Sequence, residues 1–112
     1  MIVVREYLDS RGRSPYAAWF DGLNAEAAAK VTTAVTRISL GNFSNVEGVG
    51  SGVFEYKLDF GPGYRVYYAR AGKTLYMLLC GGDKGSQDAD IKNARTMWKE
   101  LNPPAKKSAK KE

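Results

Sequence analysis

Residues 52–84 constrain the fold more than any other part of the chain. Three runs of strand-forming residues, 53–60, 64–70 and 74–80, are separated by the turns Gly61-Pro62-Gly63 and Gly72-Lys73. Short alternating runs punctuated by glycine and proline predict an antiparallel meander. In the first hairpin, alternation places Phe54, Tyr56, Leu58 and Phe60 on one face, and Glu55, Lys57, Arg65 and Tyr67 on the other. Residues 53–60 therefore read as a half-exposed strand with a charged acid–base face. The third run is largely apolar, which predicts a central strand covered on both sides. The loop that follows it, Gly81-Gly82-Asp83-Lys84, brings Lys84 to the rim of the charged face.

The flanking segments supply helices. Residues 2–7 predict a first strand that completes the sheet. Ser14 followed by Pro15 combines an N-cap hydroxyl with a proline at the first helical position, so a short helix runs to about Gly22. Its Tyr16, Trp19 and Phe20 lie close to one stripe and read as core. Asn24 caps a second helix over 25–40, with Ala27, Ala28, Val31, Ala34, Val35 and Ile38 at helical spacing and Gly41-Asn42 ending it. Residues 42–51 read as a glycine-broken loop. Ser86 caps a last helix to about Leu101, with Ile91, Ala94, Trp98 and Leu101 as its buried stripe and Pro103-Pro104 as its stop. The expected fold is α+β: an antiparallel sheet, mixed at most, of about four strands, with two N-terminal helices and one C-terminal helix. Residues 1–102 form a single domain, and 103–112 are expected to be a disordered lysine-rich tail.

The excess positive charge is localised. The net charge is +5, and residues 1–51 contribute none of it, with five basic and five acidic side chains. The sheet region 52–84 holds five basic against three acidic residues, and 103–112 hold four lysines against one glutamate. A basic sheet and tail favour a polyanion or an acidic partner. No apolar run approaches a membrane span, and the opening MIVV lacks the features of a signal peptide, so a cytoplasmic protein without membrane contact is expected. Cys80 stands alone among apolar residues and reads as a buried thiol.

The absence of histidine removes histidine triads, the His-Glu-x-x-His zinc site and histidine general-base catalysis. A single cysteine cannot build a zinc cluster, and no carboxylate pair has a convincing metal-binding spacing. No cofactor or metal is expected. Phosphoryl chemistry stays open, because it needs charge stabilisation and proton transfer rather than a particular residue type. Arg65 could hold a scissile phosphate. Glu55, or a lysine of lowered pKa, could take the 2′-hydroxyl proton, while Lys84, Lys57 or Tyr67 attends the leaving oxygen. The same residues also have a plain structural reading. Glu55 and Lys57 can solvate a sheet face, Arg65 can be a surface ion-pair residue, Tyr67 is an ordinary strand former, and Asp83 can shape the loop.

The segment GVFEYKLDFGPGYRVYYARAGKTLYMLLCGGDKGSQDADIKNAR resembles the RelE/ParE toxin superfamily, and within it the HigB-like addiction module killer proteins. The opening strand and Pro15-Tyr16-x-x-Trp19-Phe20 agree, so the resemblance covers roughly residues 1–101. It implies a small α/β toxin of a type II toxin–antitoxin system, neutralised by a helix-turn-helix antitoxin, and many relatives cut mRNA on the ribosome. By position it assigns the glutamate and basic residue of the first hairpin strand to Glu55 and Lys57. The arginine of the Tyr-Arg-Val-Tyr strand becomes Arg65, and the lysine of the Gly-Gly-Asp-Lys loop becomes Lys84. Some ribonuclease relatives use a histidine near the C-terminal end, which this chain lacks. The superfamily also contains gyrase-poisoning members, so a gyrase-directed toxin or a degenerate, non-catalytic binding partner is the alternative to an mRNA endoribonuclease.

Overall fold

The computed structural model describes residues 1–101; the tail expected over 103–112 lies outside the described residues. The element order is β1 (Val3–Glu6), α1 (Pro15–Asp21), α2 (Ala25–Ser39), β2 (Val46–Gly50), β3 (Val53–Lys57), β4 (Arg65–Arg70), β5 (Leu75–Gly82), a 3₁₀ turn (Lys84–Ser86) and α3 (Gln87–Leu101). The fold is α+β, with five strands in the order β1-β5-β4-β3-β2. The meander β2 to β5 is antiparallel, and β1 pairs with β5 in parallel, which makes the sheet mixed.

Both helix starts follow the sequence signals. Ser14 accepts from the Ala17 N–H at 3.0 Å and Asn24 from the Ala27 N–H at 2.8 Å, each satisfying a donor that the first turn leaves open. α1 and α2 cover one face. There Tyr16, Val31, Ala34 and Ile38 pack on Tyr56, Leu58, Val66, Tyr68, Tyr76 and Leu78. α3 covers the opposite face, where Val53, Tyr67, Ala69, Leu79 and Cys80 close around Ala94, with Ile91 and Trp98 alongside.

Four expectations change. Residues 46–50 form an edge strand rather than a loop. Val46 and Val49 supply strand propensity in a segment whose glycines hide it, and a register shift between Gly48 and Gly50 absorbs the irregularity. The strand expected over 53–60 stops at Lys57, and on its charged face α3 covers Glu55 while Lys57 stays half exposed. Asp83, not Ser86, makes the cap before the last helix. Its carboxylate accepts the Gly85 and Ser86 N–H groups and opens a 3₁₀ turn that runs directly into α3. Leu101, expected in the buried stripe, is 42% exposed at the last turn of α3.

One bulge matters for everything downstream of it. Tyr67 pairs with Cys80 and Tyr68 with Leu78, which leaves Leu79 as the extra residue of β5. Beyond it the alternation is inverted, so Cys80 and Gly82 face α3 while Gly81 faces α1. Neither glycine has room for a side chain. A Cβ on Gly81 would enter the Trp19 ring, and one on Gly82 would strike Asp90 and lie 2.9 Å from the Ser86 hydroxyl. The two glycines are what allow helices to close on both faces at the end of one strand.

Candidate active site

The β3–β4 register brings the charged residues together. Glu55 pairs with Tyr67 and Lys57 with Arg65, and Arg65 in turn pairs with Gly82 of β5. Side chains at paired positions share a face, so Glu55, Lys57, Arg65 and Tyr67 form one group, as alternation predicts. They differ sharply in exposure. Glu55 is 1% exposed and Tyr67 fully buried, while the Lys57 side chain is 48% exposed.

Glu55 is the hub. Its Oε2 accepts the Tyr67 hydroxyl at 3.0 Å and the side-chain amide of Gln87, the first residue of α3, at 2.9 Å. Arg65 Nε lies 3.6 Å from the same oxygen, an ion pair beyond hydrogen-bond length. Lys57 Nζ is 3.9 Å from Oε1 and 3.4 Å from Glu47 of the edge strand, whose partner across the ladder is Glu55. Lys57 thus neutralises two facing carboxylates at the open side of the cluster. Burial, then the hydrogen bond donated to Glu55, pushes the Tyr67 hydroxyl well above the ordinary phenol value, so it stays protonated.

Arg65 is held from the other side by the preceding turn. Its Nη1 donates to the Gly63 carbonyl at 2.7 Å. Gly63 has φ +80°, and a Cβ there would lie 3.2 Å from Arg65 Nη1 and 3.4 Å from Lys84 Cβ. The Lys84 N–H donates to the Pro62 carbonyl at 3.3 Å. The Gly61-Pro62-Gly63 turn is therefore wedged between Arg65 and Lys84 and fixes the backbone of both, while the Lys84 side chain is exposed. The structure brings the five expected residues to one end of the sheet, three of them (Glu55, Arg65 and Tyr67) as a buried layer and two (Lys57 and Lys84) as an outer one.

Sequence reading missed Gln87, Gly63 and Glu47. Gln87 has no local signal: it lies 32 residues from Glu55 and meets it only because α3 crosses the sheet. Gly63 was visible only as a turn residue. Among the described residues, no three Cys, Asp or Glu side chains form a group that could hold a metal ion.

No protein-family model matches the chain. An uncharacterized protein of Haemophilus influenzae is 42% identical over 87 residues, covering 77% of this chain and 88% of that protein. The chain belongs to that protein's family. A match of this length within 112 residues necessarily takes in the segment from β2 to β5, which carries the site in this chain.

Proposed function

We propose that this protein is the toxin of a type II toxin–antitoxin system, of RelE/ParE and HigB-like type. It acts as a metal-independent endoribonuclease on mRNA at the ribosome, in the cytoplasm, and is neutralised by a helix-turn-helix antitoxin. The observation that carries the reading is Arg65. Its side chain is only 11% exposed, anchored by the Gly63 carbonyl and paired with Glu55, and its turn is locked to the turn that delivers Lys84. A guanidinium held in advance beside a lysine on a capped turn is arranged for a phosphate and for the charge that grows on it during cleavage.

The exposures divide the roles. Arg65 and Lys84 hold the phosphate. Lys57, the most exposed member of the Glu55 cluster, is best placed to exchange a proton with the 2′-hydroxyl or the leaving oxygen. Tyr67 and Glu55 support the cluster from beneath. The burial of those two groups also favours a second reading, in which the fold binds its target without cutting RNA, as a gyrase-directed toxin would.

Mapping cellular mRNA 5′ ends during expression separates the two. Cuts present with the wild type and absent with Arg65→Ala support the nuclease. Intact mRNA accompanied by gyrase-dependent DNA breaks would sink it.

A further inference from the structure

The Gln87 side chain hydrogen-bonds to Glu55 rather than to Arg65 or Lys84, yet it bears on both; its backbone N–H donates to the Lys84 carbonyl. Glu55 Oε2 is approached by three donors: Tyr67 Oη at 3.0 Å, Gln87 Nε2 at 2.9 Å and Arg65 Nε at 3.6 Å. The two neutral donors make hydrogen bonds and the charged one does not. Among the described residues, the buried Nε–H of Arg65 has no hydrogen-bond acceptor. That is the reverse of the usual preference, since a guanidinium outcompetes an amide for a carboxylate oxygen when it can reach it. A carboxylate oxygen has room for about two good donors, and here both places are occupied.

We propose that Gln87 is a positioning residue that keeps Arg65 from collapsing onto Glu55. By filling the second place on Oε2, the amide holds the guanidinium at ion-pair distance, leaves its charge free for an anion, and pins the start of α3 over the cluster. Lys84 is three residues before Gln87 on the same capped turn, so the contact also fixes the lysine relative to Arg65. Without the amide, Arg65 Nε–H closes on Oε2 and the guanidinium is drawn inward, away from the phosphate. The inference rests on Arg65 being the phosphate-holding group of the proposed function.

Gln87→Met tests this, because it keeps the length of the side chain and removes the donor. Gln87→Asn is the companion variant: it keeps the amide but shortens its reach. Gln87 is half-buried at a helix start, and an unchanged amide spectrum verifies that each variant is folded. Two readouts are followed in the full chain: the Arg65 Nε–H proton shift by NMR, and affinity for an uncleavable 2′-O-methyl RNA oligonucleotide. In both variants the Nε–H resonance is expected to move downfield, as a new bond to a carboxylate requires, and affinity to fall about tenfold. In a Glu55→Gln background, Gln87→Met is expected to leave affinity unchanged, since the charge that draws Arg65 inward is gone. An unmoved Nε–H resonance overturns the proposal, even if affinity falls, because Gln87 would then be contacting RNA itself. A moved resonance with unchanged affinity overturns it as well. The failure of the nuclease reading looks different: wild-type expression leaves mRNA intact while the Nε–H shift still responds to Gln87.

Discussion

At Glu55, a carboxylate that alternation assigns to an exposed face is sealed under a helix, and its energetics follow from that. Glu55→Ala leaves the Tyr67 hydroxyl and the Arg65 charge without a buried partner, and it is expected to cost about 3 kcal/mol in urea denaturation. Tyr67→Phe removes one donor to an oxygen that has another, and its expected cost is about 1 kcal/mol. Stability should also fall on the alkaline side. Burial pushes the Cys80 thiol from 9.0 up to about 12, aided by Asp90, and the Tyr16 hydroxyl from 10.0 up to about 12, aided by Glu6. Groups whose folded pKa is raised contribute stability that is fully present below the unfolded value. It is lost as pH climbs from there through the folded value. Unfolding free energy is therefore expected to decline from pH 9.0 upward, and Cys80→Ala should flatten the first part of that decline. The sequence made the shared face of Glu55, Lys57, Arg65 and Tyr67 legible, because side-chain alternation is local. It could not reveal which of the four are buried, because the helix that covers them arrives from a distant part of the chain.

The elements carry their own tests. Gly81→Ala and Gly82→Ala each place a methyl where a packed group already sits, and each is expected to lower stability by about 2 kcal/mol in urea denaturation. The bulge at Leu79 decides which helix each glycine meets: it places Leu79 and Cys80 on one face, so strict alternation from the start of β5 would send Gly81 and Gly82 to the wrong helices. Asp83→Ala removes the acceptor of two N–H groups and is expected to cost about 1 kcal/mol. It should also loosen Lys84, which would appear as weaker RNA binding rather than as unfolding. The helices α1 and α2 were readable to within a residue or so, because their caps and apolar periods agree. β2 was not, because Gly48 and Gly50 mask a strand that β3 recruits by pairing and that Arg95 of α3 secures through the Val49 carbonyl.

At the scale of the whole molecule, both clusters of core residues found among the described residues, with their flanking partners, lie between Ile2 and Trp98. The sequence of 103–112 offers no large apolar side chain to add to them, so removing it is expected to leave the thermal midpoint unchanged. The removal takes net charge from +5 to +2, so affinity for RNA should fall and its dependence on salt should become shallower. Among the described residues, no helix is long and apolar enough to cross a membrane. The α+β class and the order of every element but β2 were legible because those elements announce themselves locally, whereas the parallel return of β1 was not, since nothing in residues 3–6 names a partner. That return has a consequence for biosynthesis. The first strand to leave the ribosome must wait for β5, about seventy residues later, before it gains a neighbour in the sheet. Until then α1 and α2 can bury Tyr16, Val31 and Ile38 only against Tyr56, Leu58, Val66 and Tyr68, without Tyr76 and Leu78 of β5. The sheet therefore lacks its β1 edge until residues 75–82 have been made, and Arg65 and Lys84 come together only after that point.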